Sequence, residues 1–314
     1  MDSLRRDFIR QSTLLSGGLL LLKPLESVTD FSLNSLGLGQ SMDQVTILHT
    51  NDLHNAIDPI HSGRGKGYGG LRNISNYLKK AGSSVILLDA GDFLDDKASP
   101  EDHKKMISYM NRVGFSCATI GNRELENGQD YFAGLLPFMK FTLVNCNYSF
   151  DNHELKQAVQ TYRVIETGKY KIGVTGVGVK TNAVTCYHPY EKANAVASFL
   201  KNEKNCDLVV CLSHLGYDKK GNLPNNKEFA KASENIDLII GGHTDIIMPQ
   251  MMVVKNSRKN EVMISHGGPS GILAKQIGIG FDLHRQKNMV SCKNVVPGSR
   301  SNLSGYAEIK RMMA

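Results

Sequence analysis

The chain carries, at residues 45–54, the stretch VTILHTNDLH, which decides both the fold class and the place where chemistry is expected. Its first four residues are β-branched or apolar, which is typical of a buried strand, and the polar residues that follow indicate a loop at the end of that strand. Asp52 and His54 are two positions apart, so in an extended segment they project in the same direction. A carboxylate and an imidazole aimed at one point favour a shared cation.

The rest of the chain repeats this arrangement of a short β-branched run followed by a polar cluster. Strand-like runs are predicted near residues 44–49, 84–89, 117–120, 141–145, 172–177, 207–213, 236–240, 261–265 and 275–283, and helical spacing near 70–82, 101–113, 191–204 and 224–234. Because the two kinds of element alternate, the pattern predicts an α/β fold. No low-complexity linker, charge block or repeat interrupts the sequence of residues 40–300, so one domain is predicted over residues 44–300.

Four more polar clusters each follow a predicted strand: LDAGD at 88–92, IGNRE at 120–124, LSH at 212–214 and GGHTD at 241–245. In the first of them, Gly91 permits a sharp turn that leaves the Asp92 carboxylate at the end of its strand, able to bridge two metals. Each cluster alone has an ordinary structural explanation, such as a helix cap or a packed histidine. Together, the five clusters supply the ligand types that a pair of divalent cations needs.

This ordered set of motifs resembles that of the calcineurin-like metallophosphoesterases over about residues 44–285, and HTNDLH, DAGD and the glycine pair at 69–70 are most similar to the 5′-nucleotidase branch. The resemblance implies a four-layer αββα sandwich with two divalent metal ions, Mn, Zn, Fe or Mg, at the strand ends. It also implies hydrolysis of a phosphate ester, with nucleotides among the candidates, by a hydroxide that bridges the metals.

The resemblance also implies a role for each matching residue. The expected ligands of one metal are Asp52, His54 and Asp92, with Asp92 bridging, and those of the other are Asn122, His214 and His243. Asp89 and His266 are expected to support these ligands from behind without touching a metal, and for His266 a purely packed role stays open.

Two positions depart from the family pattern. Arg123 stands where the family has a catalytic histidine, and Glu126 is the acid expected to orient it. Since arginine stays protonated at any working pH, it is able to neutralise a phosphoryl oxygen beside Asn122 but not to act as a general acid, so reduced activity is expected. Asp245 stands where the family has a second histidine, and a carboxylate there favours harder ions such as Mn²⁺ or Mg²⁺.

Two other interpretations of the motifs stay open. The departures at 123 and 245 also suit a catalytically weakened subunit that binds metal and phosphate and acts with a partner chain. A nucleotide-binding module without metal is the third interpretation, and it predicts a melting temperature that chelators leave unchanged.

The first 23 residues predict an export signal. The segment LRRDFIR at 4–10 precedes an apolar run of 11 residues at 12–22, which is shorter than the roughly 20 residues that span a bilayer. It resembles a twin-arginine signal, which implies a periplasmic protein without a stable membrane span, or an anchored one if the signal is not cleaved. A basic N-terminal helix is the alternative. Residues 24–43 are predicted to be a flexible lead-in and residues 301–314 a tail.

Composition and length narrow the function classes further. The net charge is +7, but the basic residues are scattered and not interleaved with aromatic ones, so binding to a nucleic acid polymer is not expected. The six cysteines form no C-x-x-C pair, which excludes zinc ribbons and thioredoxin-type motifs. Full-length members of the 5′-nucleotidase branch carry a C-terminal domain that holds the base. At 314 residues this chain is expected to lack that domain, unless a partner chain supplies it.

Overall fold

The computed structural model describes residues 44–298 with the exception of 64, 82, 83, 219, 220 and 222. Three segments named above lie outside the described residues: the predicted export signal at 1–23, the lead-in at 24–43 and the tail at 301–314.

The described residues form fourteen strands and six α-helices. The strands are β1 (Gln44–Thr50), β2 (Ile86–Asp89), β3 (Phe115–Ala118), β4 (Thr142–Leu143), β5 (Tyr148–Ser149), β6 (Tyr162–Thr167), β7 (Tyr170–Gly178), β8 (Thr185–Cys186), β9 (Leu208–His214), β10 (Leu238–Gly241), β11 (Met252–Lys255), β12 (Glu261–His266), β13 (Ala274–Phe281) and β14 (Lys287–Val295). The helices are α1 (Gly70–Ala81), α2 (Pro100–Val113), α3 (Gln129–Ala133), α4 (His153–Ala158), α5 (Pro189–Asn202) and α6 (Asn226–Ala232). Single 3₁₀ turns lie at Arg123–Leu125, Leu136–Phe138 and Pro269–Gly271.

Two six-stranded sheets form the centre of the fold. The first has the order β14-β13-β1-β2-β3-β4, and the second has the order β11-β12-β10-β9-β7-β6. Within them, β1 to β4 are parallel to one another, and so are β7, β9, β10 and β12. The carboxyl ends of the parallel strands in each sheet therefore share one edge, and that edge is where ligands bind in α/β sheets.

Alternation along the strands produces the layers. In β9, Val210 and Leu212 pack between the two sheets, whereas Val209 and Cys211 pack outward against α5 and α6. In β1, Ile47 lies between the sheets and Leu48 faces the opposite cluster, which α1 and α2 complete. Strands buried on both faces and covered by helices form a four-layer αββα sandwich, as predicted.

The long helices follow the predicted ranges because their ends are encoded locally. Helix α2 is capped by Ser99, whose Oγ accepts from the Asp102 backbone N–H at 3.2 Å, and Pro100 occupies its first position. It ends at Gly114, which has a left-handed φ of 94°. None of the described helices combines the length and apolar composition needed to span a bilayer.

The sequence patterns missed the weakly apolar elements. Strand β6 lies at an edge of the second sheet and is only partly buried, so its alternation is too faint to stand out. Helices α3 and α4 have five and six residues, which is less than two turns of periodic signal. None of these three elements belongs to the parallel strands of either sheet, so the prediction of an α/β fold does not depend on them.

Candidate metal centre

The loops that follow β1, β2 and β3 converge with those that follow β9 and β10. The first two loops run side by side, because the backbone N–H groups of Asp52 and His54 donate to the carbonyls of Gly91 and Asp92, each at 3.0 Å. A bond from the other sheet closes the arrangement, since the His243 N–H donates to the Asp52 carboxylate at 2.9 Å. Side chains from both sheets therefore meet at one end of the sandwich.

Five of the predicted ligands have a left-handed backbone. The φ angles of Asp52, His54, Asp92, His243 and Asp245 are 51°, 47°, 54°, 83° and 49°. Residues other than glycine pay a steric cost in this region, and such residues persist where the surrounding structure holds them, often at functional sites. Of the eleven described non-glycine residues with a positive φ, five are predicted ligands.

The predicted ligands form two groups that share one carboxylate. Asp52, His54 and Asp92 make up one group, and Asp92, His214 and His243 make up the other, with the potential ligand atoms of each group within 4.8 Å of one another. Asn122 joins the second group through its Oδ1 atom, 3.0 Å from His243 Nδ1. Asp92 is thus placed between two candidate cation positions, as a bridging ligand must be.

The orientation of His214 fits a cation. Its Nδ1–H donates to the Ala90 carbonyl at 2.8 Å, which fixes the ring and leaves Nε2 to face the site. Nε2 is buried and has no hydrogen-bond partner, although it lies 3.1 Å from Asp92 Oδ2. A buried nitrogen aimed at a carboxylate without hydrogen-bond geometry suits a shared metal ion.

The electrostatics of the site favour a positive charge. Burial alone would raise the pKa of Asp92, but His214 and hydrogen bonds to the carboxylate outweigh it and hold the pKa below its usual range. Burial likewise opposes protonation of His214, yet Asp92 and Asp52 raise the pKa of His214 to about 10. Carboxylates that draw a proton onto a buried imidazole exert the same attraction on a divalent ion.

Asp89 lies behind Asp92 and holds the turn that precedes it. Its carboxylate accepts from Thr50 Oγ1 at 2.6 Å and from the Gly91 N–H at 2.9 Å. Burial raises the pKa of Asp89 to about 7, against the effect of these two hydrogen bonds. The contacts fix the turn at Gly91, which has a left-handed φ of 89° and delivers Asp92 into the site.

Glu124 has a larger part in the site than its sequence position suggested. Its buried carboxylate accepts three backbone hydrogen bonds, from Gly121 at 2.7 Å, Leu94 at 2.9 Å and Asp92 at 3.0 Å. Burial, reinforced by Asp92, raises the pKa of Glu124 to about 8 against these bonds. One side chain therefore ties the loop after β2 to the loop after β3. The sequence shows that an acidic residue stands two positions after Asn122, but it does not show that the side chain of this residue is buried.

Gly121 is required because the site closes tightly around it. A Cβ atom at this position would overlap Asp92 Oδ1 and would lie 2.8 Å from His214 Nε2. Only a residue without a side chain lets the loop after β3 approach both ligands.

Arg123 contacts acids other than the one expected. Its Nη1 atom lies 2.7 Å from Asp96 and 3.3 Å from Asp95, and its backbone N–H donates to Asp92 Oδ1 at 2.9 Å. Glu126, the predicted partner, is exposed, because the 3₁₀ turn at Arg123–Leu125 directs it outward. The prediction of an Arg123–Glu126 pair is therefore wrong for the described conformation, since two acids after β2 lie nearer.

Two other predicted residues lie outside both groups. Asp245 is exposed and belongs to neither group, so its role as a ligand stays a prediction. His266 is buried at the end of β12, where its Nε2 accepts from Asn226 Nδ2 at 3.0 Å. Burial, together with the charges of His214 and Lys275, lowers the pKa of His266 to about 3, so this imidazole is neutral and packed behind the site.

Comparisons with known proteins show the family of the chain. A family model described as calcineurin-like phosphoesterase matches residues 45–246. A snake venom 5′-nucleotidase from Gloydius brevicauda is 25% identical over 238 residues, which cover 68% of this chain and 39% of that protein. A 5′-nucleotidase from Vibrio cholerae is 24% identical over 223 residues, which cover 64% and 40%. The chain spans about two fifths of the length of these relatives.

Solved structures share the fold. The 5′-nucleotidase precursor from Thermus thermophilus superposes with a TM-score of 0.70 at 20% identity, over 86% of this chain and 58% of that one. The calcineurin-like phosphoesterase YfkN from Bacillus subtilis superposes with a TM-score of 0.65 at 18% identity, over 86% and 96%. At these identities the likeness concerns the fold alone, and it confirms the predicted sandwich.

Proposed function

The chain belongs to the calcineurin-like phosphoesterase family, and from that premise we propose that it is a metal-dependent hydrolase of phosphate esters similar to the 5′-nucleotidases. The observation that carries the proposal is the pair of ligand groups that share Asp92. A carboxylate common to both groups is the arrangement that two-metal phosphoesterases need. The buried His214 Nε2, which has no hydrogen-bond partner, supports it.

Six residues would hold the metal ions: Asp52, His54, Asp92, Asn122, His214 and His243. When bound, a pair of divalent ions activates water and neutralises charge on the phosphoryl group. The chain's own part includes holding the loops that carry Asp92 and Asn122, through the buried hydrogen bonds of Asp89 and Glu124. The Asn122 side-chain amide is also placed to donate a hydrogen bond to a phosphoryl oxygen, if its Oδ1 faces the metal.

Arg123 sets the expected substrate preference. It remains charged at any working pH, so it is able to neutralise a phosphoryl oxygen but unable to protonate a leaving group. Its Nε atom already lies 3.7 Å from Asp92 Oδ2, so the guanidinium borders the metal centre while Nη1 donates to Asp96. Esters with good leaving groups need little acid assistance, because their transition state is loose. We therefore expect faster hydrolysis of activated esters, anhydrides or diesters than of simple monoesters.

A substrate panel tests the proposed function. Purified protein supplied with Mn²⁺ is expected to hydrolyse at least one of p-nitrophenyl phosphate, bis-p-nitrophenyl phosphate and a set of nucleotides, and to lose this activity in excess chelator. Mn²⁺ that binds only the folded protein should also stabilise it, by about 2.7 kcal/mol at a free concentration of about 100 times its Kd. Absence of turnover across the panel, with a melting temperature that chelation leaves unchanged, would contradict a metal-dependent hydrolase.

The contacts of Arg123 favour a second candidate function, a weakened subunit that binds metal and phosphate beside a partner chain. A guanidinium already paired with Asp95 and Asp96 is less available to a substrate. If the site has lost its acid, then Arg123→His should raise kcat for a nucleotide about tenfold or more, since a positioned general acid typically contributes about 10²- to 10⁴-fold. The rise should be much smaller for p-nitrophenyl phosphate, whose leaving group needs no proton.

Arg123→Lys is the matched control for this substitution, because it keeps the positive charge and offers no acid near neutral pH. Steady-state kinetics of both variants on both esters separate the two candidates. Loss of activity in Arg123→His would show that Arg123 is a working part of the site, and would count against the weakened subunit.

A further inference from the structure

A cavity of about 830 Å³ opens directly beside the metal centre, and Asn122 and His243 line both. A phosphate ester held by its phosphoryl group at the metal centre must place its leaving group close to these two residues. The volume lies within the range of about 300–1,000 Å³ that is usual for small-molecule sites. The cavity is thus continuous with the proposed site and large enough for an organic group.

One wall of the cavity is built from residues 178–188, and buried hydrogen bonds hold it in place. Asn147 is the main anchor, because its side chain donates to the carbonyls of Gly178 at 3.0 Å and Tyr187 at 3.3 Å, and its carbonyl accepts from the Tyr187 N–H at 2.8 Å. Tyr148 adds a bond from its hydroxyl to the Val179 carbonyl at 2.6 Å. The backbone of this wall is preorganised, while the side chain of Tyr187 remains accessible.

The opposite wall of the cavity includes Leu223 and Pro224. Tyr190 connects this wall to the wall built from residues 178–188. The Tyr190 hydroxyl accepts from the Asn225 N–H at 2.8 Å and donates to the Asn225 carbonyl at 3.0 Å. Tyr190 stands at the start of α5, three residues after Tyr187, so the separation of the two walls is fixed at this point.

Two of the exposed side chains that line the cavity, Tyr187 and Leu223, offer apolar surface, whereas the other exposed ones, Lys180, Asn182 and His188, are polar. Tyr187 is 47% exposed and Leu223 is 57% exposed, and they face a common space. The Lys192 ammonium lies 4.5 Å from the centre of the Tyr187 ring, which orients the ring by a cation–π contact. An oriented aromatic ring that lines a cavity offers a stacking surface to a planar ligand.

The charge of the cavity suits an anionic ester with an uncharged organic part. None of the described residues that line it is acidic, and Lys180 adds a positive charge. This contrasts with the metal centre, where Asp52 and Asp92 supply two carboxylates. An aromatic phosphate ester would place its negative end at the metals and its neutral end among Tyr187, Leu223 and Pro224.

We propose that this cavity binds the leaving group of the substrate and favours a planar aromatic one, stacked on Tyr187 and covered by Leu223. The inference rests on the proposed function, because it takes the phosphoryl group to lie at the metal centre. It assigns substrate preference to the loops of this domain: the segments after β7 and β9 supply the surface that recognises the organic group.

Binding of two phosphonates to the Mn²⁺-loaded full chain tests the proposal without depending on turnover, because the carbon–phosphorus bond of these analogues is not hydrolysed. Titration calorimetry is expected to show that phenylphosphonate binds about tenfold more tightly than methylphosphonate. A ratio of this size is what one aromatic stacking contact, with the apolar area that it buries, contributes to affinity. Tyr187→Ala should bring the two affinities close together, because it should weaken the binding of phenylphosphonate much more than that of methylphosphonate. Tyr187→Phe should keep it.

Phe138→Ala is the matched control, since Phe138 is another exposed aromatic residue that does not line the cavity. If Tyr187→Ala fails to fold, then Leu223→Ala carries the same expectation with a smaller loss. Equal affinities of the two phosphonates, or an equal loss of both in Tyr187→Ala, would overturn the proposal. An aromatic preference in a protein that hydrolyses no ester would leave this inference standing and refute the proposed function. Hydrolysis of an ester without the aromatic preference would overturn this inference and leave the proposed function standing. If neither analogue bound, this inference would also be overturned, and the substrate panel would decide the proposed function.

Discussion

An Asp92→Asn variant is expected to lose more than about 100-fold in kcat/KM for any phosphate ester that the protein hydrolyses. Removing a residue that only supports a metal ligand typically costs about 10- to 100-fold, and Asp92 belongs to both ligand groups itself. Asparagine would replace an anionic oxygen by a neutral group and would leave His214 and His54 facing an amide. Both candidate metal positions should therefore weaken together.

The control for this substitution is Asp58→Asn, the same chemical change in an exposed acid that pairs with Arg72 on the surface. Activity and metal stoichiometry are measured for both variants after removal and return of Mn²⁺. If Asp92→Asn retained activity within a few-fold of the control, Asp92 would not be the shared ligand.

A Glu124→Ala variant is expected to lower the free energy of unfolding by about 3 kcal/mol or more. The substitution leaves three buried N–H groups, those of Gly121, Asp92 and Leu94, without an acceptor, and each such group costs about 1–3 kcal/mol. Because all three groups lie in the loops that carry Asp92 and Asn122, activity should fall as well, by about 10- to 100-fold.

Urea denaturation in the presence of a chelator measures this effect, since bound metal would otherwise add to the stability. Glu126→Ala is the matched control, because it removes an exposed glutamate two positions further along the same segment. That variant should change the free energy of unfolding by less than about 0.5 kcal/mol. Equal stability of the two variants would mean that Glu124 does not join the loops as described.

The parallel strands and the seven candidate ligands, Asp245 among them, could be predicted from the sequence because both depend on local patterns. A β-branched run that ends in Asp52 and His54, or in Gly91 and Asp92, indicates a strand and its loop without any knowledge of distant residues. The fold then brings the strand ends together, since parallel strands share one edge.

The partners of Arg123 and Glu124 escaped prediction because they depend on which loop lies opposite. Asp95 and Asp96 are 28 and 27 residues before Arg123, and only the assembled β2 and β3 bring them into contact. Glu124 lies inside the motif at 120–124 and Glu126 just after it, but only the turn at Arg123–Leu125 shows that Glu124 is buried and Glu126 is exposed. The family resemblance implied an Arg123–Glu126 pair, whereas in the structure Arg123 pairs with Asp95 and Asp96.

Anomalous diffraction from crystals grown with Mn²⁺ tests the metal centre most directly. Data collected near the manganese absorption edge should show two peaks on either side of the Asp92 carboxylate. One peak should lie beside Asp52 and His54, and the other beside Asn122, His214 and His243. Manganese bound only elsewhere, or no peak at Asp92 in a folded protein, would contradict a two-metal site and the hydrolysis that depends on it.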